Sequence, residues 1–211
     1  MANFIGLKVG RDAVTSDRAQ YDGVRDRWAV YVSEERHVSV DKAVDCIALG
    51  RNALRALPTD ANFQVRISAL EEAIAQDKEN GVRPMCIVSV FGTTNTGAVD
   101  DVRKLRNVAD REGMWLHVDA AYGGAMLLSQ VWPMRDRGVE LADSITIDPH
   151  KWFYAPLDAG AVLVKDQDRL TASFGIKPSY LIDELDRLNE PISTTCMDSS
   201  SRGAFAASKC G

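Results

Sequence analysis

Short apolar runs alternate with amphipathic stretches along most of this 211-residue chain, and that alternation restricts its fold more than any other feature. Residues 84–91 (PMCIVSVF) form a near-continuous apolar run, as expected of a strand covered on both faces. Residues 27–32 (RWAVYV), Trp115–Asp119, Ser144–Ile147 and Ala161–Lys165 read as further short strands. Between them, residues 39–56 carry Val40, Ala43, Val44, Ile47, Ala48 and Leu54 at roughly helical spacing. Ser68 followed by Glu71 reads as a capping box, with a helix running from there toward Gly81. Val99 to Glu112 reads as another helix, with Val102, Leu105, Val108 and Ala109 on its apolar side. Strands and helices in alternation predict an α/β domain with a mainly parallel sheet. No repeat, low-complexity tract or linker is evident before about residue 180. Apolar density then falls, and 183–211 carry no clear element.

Composition narrows the classes. Apolar residues make up 45% of the chain, enough for a sizeable core, and 25 basic against 30 acidic residues leave a formal charge of −5. Nucleic acid and anionic membrane surfaces call for a basic footprint, so neither is an expected partner. No apolar run approaches the ~18–20 residues of a membrane span. Met1 to Asp12 lack the long apolar core of a signal peptide. Cys46, Cys86, Cys196 and Cys210 are far apart, which suggests neither a zinc site nor a disulfide framework. Scattered thiols fit an intracellular, cytoplasmic protein.

Three segments carry candidate chemistry, each just past an expected strand. His117-Val118-Asp119-Ala120-Ala121-Tyr122-Gly123-Gly124 ends a strand on a carboxylate, which is costly to bury unless a cation meets it. An ordinary helix or turn cap is the plain alternative for Asp119. Asp148-Pro149-His150-Lys151-Trp152 sets a lysine between a histidine and a tryptophan, a candidate for a desolvated amine. A surface turn lysine is the commoner case. Phe91-Gly92-Thr93-Thr94-Asn95-Thr96-Gly97 could hold a polar ligand or be a simple loop. Their succession past three strands favours one shared site, because α/β sheets bind ligands at the C-terminal ends of their strands.

SVFGTTNTGAVDD (89–101), WLHVDAAYGG (115–124) and ADSITIDPHKWFYAPLDAGAVLV (142–164) resemble the group II pyridoxal-phosphate-dependent amino-acid decarboxylases, of the aromatic-L-amino-acid and glutamate decarboxylase type. The resemblance spans about residues 1–182. It implies the fold-type-I large domain, pyridoxal 5'-phosphate as cofactor, an amino-acid substrate and a homodimer in the full-length relative. The implied reaction is decarboxylation of an L-amino acid to the amine and CO₂ through a Lys151 Schiff base. By the same resemblance Asp119 matches the carboxylate that pairs with the pyridine nitrogen. Ala121 matches a small residue on one ring face, and His37 a histidine stacked on the other. Thr94 matches a pocket threonine, and His150 belongs to the same pocket. Tyr180 matches the tyrosine of a loop that closes over substrate and returns a proton. Asp148 sits where relatives approach the cofactor phosphate, with its role open. His117 reads as strand packing rather than catalysis. Phe153 and Tyr154 fit either an aromatic pocket lining or core packing.

The resemblance also carries departures. A Gly/Ser-rich phosphate loop precedes, in relatives, the helix that here begins at Ala2-Asn3-Phe4. The expected organisation is therefore a cofactor-binding core over 1–182 lacking that loop, and a degenerate or truncated tail over 183–211. Other pyridoxal-phosphate chemistry on the same fold is the nearest alternative: aldehyde-forming decarboxylation, lyase action or transamination. A catalytically inactive fragment or pairing domain is the alternative from a different class.

Overall fold

The structure, a computed structural model, describes residues 1–129, 137–156 and 159–175. Tyr180 and the expected tail over 183–211 lie outside the described residues. Six strands form one sheet in the order β2-β1-β3-β4-β5-β6. They are β1 (Trp28–Ser33), β2 (Leu54–Leu57), β3 (Arg83–Val90), β4 (Trp115–Asp119), β5 (Ser144–Ile147) and β6 (Ala161–Val164). Neighbours from β2 to β5 pair in parallel, and β6 runs antiparallel on the edge beside β5. The expected α/β class with a mainly parallel sheet is thus the observed one.

Helices cover both faces. α1 (Ala2–Val14) and α3 (Val38–Cys46) pack Leu7, Val9, Val40 and Val44 against Val30, Val32, Cys86 and Val88. α4 (Ile67–Glu79) and α5 (Val102–Glu112) pack Leu70, Ile74, Leu105 and Val108 against Tyr31, Ile87, Leu116 and Val118 on the opposite face. Successive side chains of a strand point to opposite faces. Burial on both sides therefore leaves every residue of β1 and β4 buried, which is why Trp28–Val32 reads as an unbroken apolar run. α2 (Arg18–Asp22) and α6 (Gln167–Phe174) flank this core, and Lys8 of α1, paired with Asp12 on the same helix, donates to the Ser173 carbonyl of α6.

Three local expectations are corrected. The stretch 39–56 is not one helix: α3 ends at Cys46, and the chain turns through Ala48 and Gly50, both at positive φ. A one-turn 3-10 helix at Arg51–Ala53 leads into β2, where Leu54 pairs with Val30. Apolar spacing misled here because a helix and an edge strand contribute consecutive apolar positions to the same core. Ser68 is not a cap either. α4 starts at Ile67 with Arg66 at the N-cap and no side-chain cap. α5 begins at Val102 rather than Val99, since Asp101 caps it by accepting from the Lys104 N–H at 3.1 Å.

Asp100, immediately before that cap, is 3% exposed and accepts from the Val65 and Val90 N–H groups at 2.9 and 2.7 Å. Burial raises its pKa to about 6, against the lowering effect of those two donors. The folded state therefore binds this proton more tightly than the unfolded chain does. The contribution is fully present below the ordinary carboxylate pKa and is lost as pH rises through about 6. Asp41, Asp101 and Glu112, whose pKa values are lowered by basic partners and backbone donors, act in the opposite sense and at more acid pH. Chemical denaturation as a function of pH should show a loss of about 3 kcal/mol from this one group between pH ~4 and ~7. Asp100→Asn should flatten that slope.

α1 lies unusually close to β4. A Cβ on Gly6 would sit 2.6 Å from His117 Cε1, so only glycine fits. Gly6→Ala should lower the unfolding free energy by about 1–3 kcal/mol, read from the urea midpoint at unchanged slope.

Candidate active site

The C-terminal ends of β3, β4 and β5 lie side by side, and the three candidate segments leave from them. Backbone bonds lock these ends together. Phe91 N–H donates to Asp119 O at 2.9 Å, Gly123 N–H to Phe91 O at 3.2 Å, and Ala120 N–H to Thr146 O at 3.0 Å. The loops after β3 and β4 touch through glycines, since a Cβ on Gly92 would fall 2.7 Å from Gly123 Cα.

Asp119 ends β4 and is 5% exposed. It accepts from the Asn3 amide at 2.8 Å and from the Ala121 N–H at 3.1 Å. Among the described residues no lysine or arginine pairs with it. The sequence predicts a cation for a carboxylate buried here; the protein supplies neutral donors instead. Ala121 follows directly, half-buried. His117, two residues earlier on the same strand, is fully buried, with Ser144 Oγ 2.7 Å from Nδ1 and Asn3 Oδ1 3.0 Å from Nε2. Burial holds its pKa well below the ordinary imidazole range, against the pull of the Asp119 charge, so it is neutral at pH 7. It is a packed and fully hydrogen-bonded strand residue, in line with its expected packing role.

His37 is exposed and forms the N-cap of α3, where its Nδ1 accepts from the Ser39 N–H at 3.2 Å. Histidine is an uncommon cap, and the sequence gives only a loop histidine here. Ser39 Oγ also lies 2.8 Å from that nitrogen and accepts from Asn3 Nδ2 at 2.9 Å. His37 and Asp119 are therefore joined through Ser39 and Asn3. Neither of the linking residues stands out in the sequence. The usable signal for Asn3 is that it shares a buried helix face with Gly6, Leu7 and Gly10, an apolar stripe where a lone amide needs polar partners.

Lys151 lies past β5, and here the desolvated amine expected from its neighbours is corrected. Its side chain is 33% exposed and pairs with Asp148 at 2.8 Å. The following turn leaves Trp152 and Tyr154 open to solvent, and among the described residues neither of them closes over the amine. Tyr154 is 91% exposed, which excludes core packing for it, and Trp152 meets Tyr122 edge-to-face at 5.4 Å. His150 donates from Nδ1 to the Ala159 carbonyl at 2.7 Å. In the loop after β3, Thr94 is exposed and Thr93 is the buried hydroxyl. Thr93 Oγ1 accepts from the Thr96 and Ala98 N–H groups at 3.3 and 3.1 Å and so shapes the turn.

The chain belongs to the family described as the pyridoxal-dependent decarboxylase conserved domain, whose profile matches residues 8–204. It is 39% identical to an aspartate 1-decarboxylase of Aliivibrio fischeri, over 82% of this chain and 34% of the relative. It is 34% identical to an aromatic-L-amino-acid decarboxylase of Bacillus atrophaeus, over 87% of this chain and 37% of that one. Among solved structures, the Oryza sativa TDC with PLP and tryptamine superposes with a TM-score of 0.80 at 34% identity, covering 90% of this chain and 40% of that one. The fold is thus that of a fold-type-I decarboxylase, and the family's cofactor is pyridoxal phosphate. The chain spans little more than a third of the length of these relatives. Among the described residues no helix is long and apolar enough to cross a membrane.

Thr93→Val keeps the shape of the side chain and removes the acceptor of two backbone N–H groups. Amide exchange should accelerate at Ala98 and Thr96, with a stability loss of about 1–2 kcal/mol, measured by hydrogen exchange and denaturation.

Proposed function

We propose that this chain forms the cofactor-binding core of a pyridoxal-5'-phosphate-dependent enzyme that removes the α-carboxylate of an L-amino acid as CO₂. The observation that carries this reading is Asp119: a buried carboxylate at the ligand-binding edge of the sheet, held by neutral donors and left without a cation among the described residues. Such a group is stabilised by an incoming positive N–H, and a protonated pyridine nitrogen brings one. The residues therefore fit the cofactor. When bound, it supplies an electron sink for the pair left on Cα as the bond to the carboxylate breaks.

The chain's own residues have separate tasks in this reading. Asp119 keeps the ring nitrogen protonated. Lys151 is the amine that holds the cofactor's aldehyde end. Asp148, at 2.8 Å, orients that amine and offers it an acceptor for a proton. Ala121 and His37 would line the two sides of a bound ring, and His150, anchored on the Ala159 carbonyl, keeps the Lys151 turn in place. Thr94 stands at the open tip of the loop after β3, available to the substrate side. The relatives are named for substrates as different as aspartate and aromatic amino acids, so the reading stops at the class of L-amino acids.

Pyridoxal phosphate titrated into the purified protein should produce a visible absorbance band that is missing in Lys151→Ala. Candidate amino acids should then yield the amine and CO₂, with Asp119→Asn slower by at least about a hundredfold. No band, or a band unchanged by Lys151→Ala, would sink the proposal. An aldehyde or keto acid in place of the amine would move it to other chemistry on the same fold.

A further inference from the structure

Asp119 stands at the end of an unbroken hydrogen-bonded chain, and the donor and acceptor types along that chain leave one consistent arrangement of protons. A carboxylate only accepts, so the Asn3 NH₂ must face it at 2.8 Å. The Asn3 carbonyl oxygen then faces His117 Nε2 at 3.0 Å and calls for a donor, which puts the imidazole proton on Nε2. His117 Nδ1 is left bare and takes the Ser144 hydroxyl hydrogen at 2.7 Å. A lone pair of the same hydroxyl takes the Trp115 indole N–H at 2.8 Å. The second hydrogen of the Asn3 NH₂ goes to Ser39 Oγ at 2.9 Å, and the Ser39 hydroxyl hydrogen goes on to His37 Nδ1 at 2.8 Å. The Ser39 N–H points at that same nitrogen. The neutral His37 ring therefore carries its proton on Nε2, the nitrogen turned away from its cap. Flipping Asn3 would set its oxygen against the Asp119 carboxylate and its NH₂ against the His117 Nε2–H, leaving that donor only the longer contact to Thr146 Oγ1 at 3.3 Å.

We propose that Asn3 is the positioning residue of this site: it fixes Asp119 for the cofactor nitrogen, and through Ser39 it fixes the proton of His37, with His117 and Ser144 locking which way its amide points. This rests on the reading of Asp119 as the cofactor's partner. Glycine at position 6 is part of the device, since it lets α1 come close enough for Asn3 to reach both strand residues. The titratable side chains bonded into the chain are His117 on β4, His37 before α3 and Asp119 itself. Lys151, past β5, is engaged by Asp148, and Lys8 and Arg11, farther along α1, by Asp12. One amide thus serves two functional side chains that lie 82 positions apart in sequence, at residues 37 and 119.

Two readouts test this. The first is imidazole ¹⁵N NMR on the cofactor-free protein, whose sequence holds three histidines. His117 should be neutral with its proton on Nε2, and neutral His37 should carry its proton on Nε2 as well. A charged His117 at neutral pH, or a proton on its Nδ1, would overturn the arrangement. The second uses pyridoxal phosphate labelled with ¹⁵N in the ring. In Asn3→Ala the protonation midpoint of the bound ring nitrogen should fall by about one pH unit, and cofactor affinity by about tenfold. The Lys151-dependent band and the helical circular dichroism should persist. An unmoved midpoint in a folded variant would refute the role of Asn3 alone. Absence of Lys151-dependent uptake in the parent would refute the decarboxylase reading and the role of Asn3 with it. If Asn3→Ala does not fold, the parent's imidazole spectrum decides.

Discussion

The constraint on which this structure turns is a carboxylate out of water. Asp119 sits at the edge of a sheet buried on both faces, where an isolated charge is costly by several kcal/mol. What makes its burial tolerable is the near-contact of α1 with β4, which delivers the Asn3 amide to it and seats His117 beneath Gly6. The helix is held there by packing of Leu7 and Val9 and by the bond from Lys8 to the Ser173 carbonyl of α6. A stretch of sequence far from the candidate motifs is therefore a precondition of the site.

The sheet supplies the rest by topology. Parallel strands send their C-terminal ends to one edge, so three loops from distant parts of the chain converge without any long-range signal of their own. Asp100 joins this frame from the other side: it anchors the end of β3 and the approach to α4 through two backbone donors, and the Asp101 cap starts α5 immediately after it.

Much of this was legible. β4 and β5 emerge from the sequence with their observed bounds: β4 is buried at every position and opens on Trp115-Leu116, while β5 alternates buried and half-buried residues and carries two isoleucines. The Asp119 and Lys151 motifs stand out by their succession past strand ends and by the family resemblance they carry. What stayed hidden depended on partners. The break after Cys46 comes from residues at positive φ, a backbone property that apolar spacing does not report. The Ser68 cap failed because the helix starts at Ile67, so the hydroxyl falls inside the first turn. The exposure of Lys151 and its pairing with Asp148 follow from how the turn folds back after β5. Asn3 and Ser39 are ordinary polar residues until folding sets an amide between a histidine and a carboxylate.

The abutment of Gly92 on Gly123 carries an evolutionary consequence. With no room for a side chain at their contact, the loops after β3 and β4 behave as a single rigid block, and neither can be remodelled without the other. The exposed tip around Thr94 and the solvent-facing run Trp152-Phe153-Tyr154 are under no such steric lock, so side chains of many sizes fit there without moving the sheet.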